Sequence, residues 1–485
     1  MPDIIRQYNK MAGDSKSMIQ KSLTAASGSG GYLIPEKLTQ TITDALPRLS
    51  PLVAMMTPEF DNQNYHQFNR LSTLPAAGGA MGESATTPTT QPIFTRDGVY
   101  LKIVRRKGAT TNFLQDASKR NVDSAALNIE ACLLSHVYDL ENYTMYGNAP
   151  SNTYEYNGFD YFVQTNRTNQ AVGGAVPTSL KFLDDMLDAN LDLKGEGHRK
   201  AFIMSPYMLS KVSQLQSQVR LNMNASGAGA MSVVDLPGGW RVNAYRDVPI
   251  IMSSACRPKA ACSLPVATSG TTLGTIANGA VSYIRLAAVT RDGETLSCAE
   301  VTCTAATSAG TNTIILTFTA VAGAYKYKVY AGSVSGTLTL SRIVPAFTYD
   351  ANGTPTVSDT DVIGTAGYTT VTSDANGAVT VITLFNDPYT ADAATVPSAL
   401  QADVPLTGAL ASSIPETVWM IDFDIYQGFG KLPFTNSGGS RFAGLVTIED
   451  LAKTDDFLPF LIKSYCAVAN SFEATSVLSR GWKVA

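Results

Sequence analysis

Charge is scarce in this chain. Only 16 % of its 485 residues are Asp, Glu, Lys or Arg, against about 25 % in a typical soluble domain. A protein that hides much of its surface against copies of itself can manage with so few. The net charge of −4 excludes a general basic field for holding nucleic acid. No run of eighteen apolar residues occurs, so no membrane-spanning helix is expected. Met1 to Lys21 is charged throughout and lacks the apolar segment of a signal peptide. The chain is therefore expected to be made in a cytoplasm, with its thiols reduced.

Catalytic signatures are also missing. There is no phosphate loop, HExxH, nucleophile elbow or CxxC. Only His66, His136 and His198 supply imidazole. His136 follows Ser135, but no local Asp completes a triad, and it reads as a helix-surface or interface residue. Neither an enzyme nor a cofactor is expected. The six cysteines are scattered. Cys256 and Cys262, then Cys298 and Cys303, have five and four residues between them, unlike the tight knuckles of structural zinc sites. They read as small buried thiols. Asp359 and Asp361 read as a solvated loop, since no further carboxylates gather there to hold calcium.

What is present is an ordered series of α+β parts. Ser27–Gly31 is a hinge, followed by a short amphipathic helix over 36–46. Strand-like runs at 62–72 and 94–106 flank a Gly/Pro/Thr/Ala stretch, and together they read as a long two-stranded excursion. In the second run Val99, Leu101 and Ile103 alternate with Gly98, Tyr100 and Lys102. A lone hairpin is only marginally stable in water, so this one is expected to lie on something else. A long helix over 117–146 carries Val122, Ala126, Ile129, Leu133, Val137 and Leu140 on one stripe, capped by Asp116 and ended by Gly147. A second helix fits 179–192, capped by Thr178. Ala201–Met204 is a buried strand, and Ser205-Pro206 opens another helix. Trp240–Met252 gives two short strands around Asp247-Val248-Pro249.

From about 263 to 405 the chain changes style, becoming Thr-, Ala- and Gly-rich with short alternating runs. The α+β style returns at Val418, and 457–484 reads as a long strand or paired strands closing a sheet. One α+β scaffold interrupted by an all-β insert is the simplest organisation. The insert, 263–412, holds five basic and ten acidic residues, which reads as an acidic, solubilising module. Arg96, Lys102, Arg105, Arg106 and Lys107 make the return strand of the excursion basic. Glu449, Asp450, Asp455 and Asp456 form an acidic group late in the scaffold. These patches are expected to meet across subunits, though each alone could be a solvated face.

The order of motifs resembles the major capsid proteins of tailed bacteriophages, with the Hong Kong 97 (HK97)-like fold. The carriers are Gly30-Gly31-Tyr32-Leu33-Ile34-Pro35 with Ser50-Pro51-Leu52, Gly82-Glu83-Ser84-Ala85, Pro92-Ile93-Phe94, Leu114-Gln115-Asp116, Tyr146-Gly147-Asn148, Asn157-Gly158-Phe159, Phe202–Pro206 and Val248-Pro249-Ile250. The insert, through Ala280–Val289, Thr313–Phe318 and Gly323–Tyr330, is similar to a fibronectin type III or Ig-like sandwich. There Tyr325, Tyr327 and Val329 share one face, and Lys326 and Lys328 the other.

The resemblance implies an N-terminal arm (1–60), an extended loop (61–107), a peripheral domain with a spine helix (108–177), a first part of an axial domain (178–262), the inserted β-domain (263–412) and a return through both domains (413–485). It implies hexamers and pentamers of an icosahedral shell around double-stranded DNA, in a virion assembled in a bacterial cytoplasm. Portal and decoration proteins are the implied partners, with no membrane. Too little chain precedes Tyr32 for a fused scaffolding segment, so a separate scaffolding protein is expected. Residues 61–95 contain no lysine, so the covalent isopeptide chainmail of some relatives is not expected. An encapsulin-type compartment and a fibronectin-type adhesin or tail protein are the alternative readings.

Overall fold

A computed structural model describes Leu52 and most of residues 58–484, with gaps of which 76–85, 224–230, 357–367 and 431–440 are the longest. The arm, the helix expected over 36–46, the tip of the excursion, Asp359, Asp361 and Asp455 lie outside the described residues.

The excursion is present as strands β1 (Tyr65–Thr73) and β2 (Ile93–Tyr100), paired antiparallel as a sheet of two. It ends earlier than the sequence suggests. At Leu101 the backbone N–H donates to the Asn64 carbonyl at 3.0 Å, and the chain leaves the hairpin. The next strand, β3 (Lys102–Thr111), belongs to a different sheet. Its facing is also reversed from expectation. Lys102, Val104 and Arg106 are half-buried, whereas Ile103, Arg105 and Lys107 are exposed. Alternation is clear after Leu101, but in the phase opposite to the one expected, and before it Gly98 and Val99 are both half-buried.

The long helix α1 (Ser124–Tyr146) starts later than expected, and its cap is Asp123 rather than Asp116. The Asp123 carboxylate accepts from the backbone N–H groups of Ala125 and Ala126, both at 3.1 Å. At ~1.5 Å per residue it spans roughly 35 Å. Its first half is half-buried, and its second half is buried on nearly every side. Gly147 ends it through close packing: a Cβ there would meet the Tyr156 carbonyl oxygen at 2.2 Å. Two further helices follow, α2 (Lys181–Asp192) and α3 (Pro206–Met223). Ser179, not Thr178, serves the start of α2. Ser205 caps α3 by accepting from Met208 N–H, with Pro206 where no amide hydrogen is needed.

Two scaffold sheets carry these helices. Around strands β4 (Lys200–Met204), β5 (Trp240–Tyr245) and β6 (Val248–Met252) runs a seven-stranded sheet. The β5–β6 turn is Arg246-Asp247, both at positive φ, so Val248 and Pro249 already belong to the strand. The last part of the chain serves both sheets. After β13 (Pro415–Asp422), β14 (Val446–Asp450) and β15 (Phe457–Asn470) enter a six-stranded sheet with β3, while β16 (Val477–Lys483) returns to pair with β13. The helix α1 lies against the six-stranded sheet, and α2 and α3 share a core with the seven-stranded one.

Between β6 and β13 lie two more sheets. The proximal one is built on β8 (Val281–Thr290), β10 (Ala324–Gly332) and β11 (Thr339–Pro345). The distal one contains β7 (Val266–Gly270), β9 (Thr313–Thr319), β12 (Val379–Leu384) and the strand Tyr368–Ser373. Ile284, Leu286, Tyr327 and Val329 of the first pack with Ile314, Leu316, Phe318 and Ile382 of the second in one core. The segment after 350 therefore completes this two-sheet unit. Residues 392–403 then cover the β11 edge, where Asp392 N–H donates to Ser341 O at 2.9 Å and Leu340 N–H to Asp403 O at 3.0 Å.

Candidate functional site

The joint between insert and scaffold holds the densest chemistry of the molecule. Strand β10 alternates as the sequence suggests, but both of its faces are buried. Lys326 and Lys328 are 2 % and 1 % exposed. The expectation of a solubilising charged face fails here, because the lysines point into the scaffold. Lys326 Nζ meets Glu155 Oε2 at 2.5 Å and the Tyr146 carbonyl at 2.7 Å. Lys328 Nζ lies 2.9 Å from Asp160 Oδ2 and 2.8 Å from Glu294 Oε2.

Around Glu294 the network closes. Arg480 grips it through two bonds of 3.0 and 2.9 Å, and the Tyr330 hydroxyl donates to it at 2.6 Å. Arg167 binds Asp160 at 2.7 Å and also forks onto Asp403. Each side chain is no more than 5 % exposed. The insert supplies Glu294, Asp403, Lys326 and Lys328; the scaffold supplies Glu155, Asp160, Arg167 and Arg480. Each half is neutral by itself, and the whole is neutral too. Buried ions carry a desolvation penalty of several kcal/mol apiece, offset only where partners are close and complete.

The titration behaviour follows. Burial alone would raise the Asp160 carboxyl, but Lys328, then Arg167 and Arg480, hold it well below the usual carboxylate range. Glu294 is likewise opposed by burial, yet Arg480 and Lys328 bring it down to about 2. Both stay ionised at any ordinary pH.

A second convergence lies on α1. Asp139 receives Arg106 from β3 at 2.5 Å, Arg291 from the insert at 3.0 Å, and the Tyr325 hydroxyl. One carboxylate thus ties helix, scaffold sheet and insert together. Gly293, at φ +90°, lets the insert's turn approach the scaffold; a Cβ there would strike the Ala255 carbonyl at 2.0 Å. His136, one turn earlier on α1, is fully buried rather than on a surface. Its Nε2 lies 2.8 Å from Ser464 Oγ, and burial lowers its pKa to about 4. No group of three or more potential metal ligands gathers among the described residues.

The expected contact residues divide. Arg96 is exposed on β2 with Nε 3.2 Å from Asn69 Oδ1. Lys102 Nζ donates to the Thr153 carbonyl at 2.6 Å, and Arg106 is held by Asp139. Arg105 and Lys107 are exposed and form no ion pair with a described residue. Glu449 pairs with Lys463 at 2.5 Å. Asp450 is exposed, and Asp456 accepts from the Asn112 side chain at 2.5 Å. Within the subunit the two patches flank one strand: Leu461 of β15 is in register with Lys107 on one side and Glu449 on the other. Local sequence patterns do not reveal the ionic joint, because most of its pairs between insert and scaffold lie about 170 residues apart or more.

No curated protein matches this chain in sequence. Among solved structures it is similar to the capsid asymmetric unit of cyanophage A-1(L), at 10 % identity and TM-score 0.45, covering 93 % of this chain and 98 % of that one. The capsid of a native GTA particle is similar at 10 % identity and TM-score 0.43, with 95 % and 98 % covered. The holo-SrpI encapsulin complex of Synechococcus elongatus PCC 7942 is similar at 10 % identity and TM-score 0.40, with 92 % and 93 % covered. The sequence model of the SU10 major capsid protein matches residues 15–246, a stretch that runs through the hairpin, β3, the long helix and much of the seven-stranded sheet. Over those residues, the chain is similar to the SU10 major capsid protein family.

Proposed function

We propose that the chain is the shell subunit of a tailed-phage head, with an HK97-like scaffold, and that it closes an icosahedral container around double-stranded DNA. The family match over 15–246 carries this reading. The hairpin supports it: Leu71, Leu74, Ile93 and Phe94 are 47–65 % exposed on a two-stranded excursion, which suits burial against a neighbour. Arg105 and Lys107, exposed and without an ion pair among the described residues, and the exposed Asp450 suit a contact between copies. The insert is an Ig-like or fibronectin-like module, and portal, scaffolding and decoration proteins are the further partners. Electron microscopy of the full chain, expressed with and without the other head proteins of its source phage, tests the reading. Closed shells are expected, filled with DNA in complete particles. Monomers under every condition overturn it, and shells loaded with an enzyme cargo favour an encapsulin-type compartment.

A further inference from the structure

A cleft beside the ionic joint is left short of negative charge. It is a cavity of about 1000 Å³ between scaffold and insert, at the upper end of the roughly 300–1,000 Å³ usual for small-molecule sites. Strand β3 lines it from the scaffold, the turns around Arg291 and Gly323 line it from the insert, and Asp139 and Tyr143 of α1 complete it.

The joint is neutral, but this cleft is not. Five cations and three carboxylates line it. Glu155 is matched by Lys326 at 2.5 Å, and Asp292 by Lys259 at 2.6 Å. That leaves Asp139 as the one lining carboxylate for Lys102, Arg105, Arg106 and Arg291, three negative charges too few. Arg106 and Arg291 share it, one on each oxygen. Both guanidinium groups keep a buried Nε without a hydrogen-bond partner among the described residues. Both side chains are also more than a third exposed, so the rest of each fork is open to a ligand. Lys102 donates to the Thr153 carbonyl at 2.6 Å, which offers it no charge. Arg105 is exposed.

We propose that this cleft binds a phosphate ester, with the phosphate held by Lys102, Arg105, Arg106 and Arg291. Charge selects the class. A carboxylate supplies one negative charge, whereas a phosphate monoester carries about −1.5 to −2 near pH 7 and three strong acceptor oxygens. Direction selects the same class. Arg106 comes from β3 and Arg291 from the insert, and they meet at Asp139. The two coplanar oxygens of a further carboxylate would suit a single guanidinium fork, while the tetrahedral oxygens of a phosphate can serve both. The cavity is much larger than one phosphate, which leaves room for the group it is esterified to. A small soluble ester and the backbone of a single-stranded nucleic acid share this chemistry.

Isothermal titration calorimetry of the full-length, unassembled subunit tests the site, with ribose 5-phosphate, a short single-stranded DNA and citrate as probes. Ribose 5-phosphate is expected to bind saturably, and citrate several-fold more weakly despite its higher charge. Arg105→Gln, at an exposed side chain, and Lys102→Met are each expected to weaken the phosphate probe about tenfold, with far-UV circular dichroism matching wild type. Lys181→Met, on α2 and outside the cleft, is expected to leave binding as it was. DNA that binds and is weakened by the same two variants assigns the ester to a nucleic-acid backbone. DNA that does not bind, or binds regardless of them, assigns it to a small soluble compound. Failure of both ribose 5-phosphate and DNA to bind at millimolar concentration overturns the site. Binding of both that Arg105→Gln and Lys102→Met leave unchanged overturns it as well. Citrate bound as tightly as ribose 5-phosphate overturns the choice of phosphate.

Discussion

The two sheets of the insert share one core and one composition of alternating β-branched and small residues, yet they treat charge in opposite ways. The proximal sheet buries Lys326, Lys328, Glu294 and Arg342. The distal sheet exposes a face with no charge at all. Lys326, Lys328 and Glu294 are tolerated on the proximal side because Glu155, Asp160 and Arg480 of the scaffold answer them within about 3 Å, and Arg342 is held by Ser341 and the Asn386 and Asp387 carbonyls of the insert itself. The strands of the distal sheet hold no ion to be answered in this way. The buried charge of the proximal sheet therefore marks an intramolecular contact. An insert cemented in this way is part of the scaffold's folded body rather than a pendant on a linker.

Removing one ion from the joint should give the largest effect. Lys328→Met leaves Asp160 and Glu294 facing each other with one cation fewer, and breaking a buried pair by deleting one partner costs about 3–5 kcal/mol. The loss would appear as a lower urea midpoint of the unassembled subunit. Lys328→Met combined with Glu294→Gln should lose less than Lys328→Met alone, since the uncompensated charge goes too. Equal losses would mean that packing, not ionic balance, holds the joint.

Acid should separate His136 from the joint. His136 titrates at about 4 when folded and near 6.5 when unfolded. Between those values the unfolded chain binds the extra proton, so stability falls as pH drops from about 6.5 to 4, by roughly 3 kcal/mol at most. Glu294 has the opposite kind of shift, from 4.5 down to about 2. Its contribution is whole above pH 4.5 and fades only as pH falls through 2. Urea midpoints measured from pH 7 to 4 should therefore decline in wild type and much less in His136→Gln. A decline that persists unchanged in the variant would remove His136 as its cause.

Asp139→Asn should come next, at about 2 kcal/mol. The amide keeps one acceptor for Arg106, Arg291 and Tyr325 but loses the charge that draws both guanidinium groups. Added salt should narrow the difference between variant and wild type, because Arg106 and Arg291 are each more than a third exposed. An unchanged difference in high salt would assign the loss to geometry alone.

Much of this architecture was legible in the residues. The Ser205-Pro206 start of α3 and the two hairpin strands follow local signals, whereas the stripe expected on α1 is met only in part: Leu140 is buried, Ile129, Leu133 and Val137 are half-buried, and Ala126 is exposed. The resemblance to phage capsid proteins agrees with the family match. Misplacements arose where two local signals competed: Asp123 and Asp116 can both cap a helix, and only packing chooses. Leu101 continues an apparent strand, but the switch between sheets is a tertiary event. The ionic joint was invisible for a stronger reason. Alternation along β10 shows that Lys326 and Lys328 share a face, and nothing local shows that Glu155 and Asp160 wait on the other side.

The smallest effect is expected on the distal face, and it is what makes the contrast between the sheets decisive. Thr383 points outward from β12 beside Ile315. In Thr383→Lys the new side chain can lay its aliphatic stem along the β-branched surface and keep its ammonium in water. The unassembled subunit should therefore change in stability by less than about 0.5 kcal/mol, as surface substitutions usually do. Lys328→Met and Thr383→Lys are opposite exchanges between an apolar or neutral residue and a cation on the two sheets of one insert. If charge is structural on one sheet and merely absent from the other, urea unfolding of subunits should separate them by several kcal/mol. A loss from Thr383→Lys that approaches that of Lys328→Met would show the distal face already covered within the subunit, and the contrast would collapse.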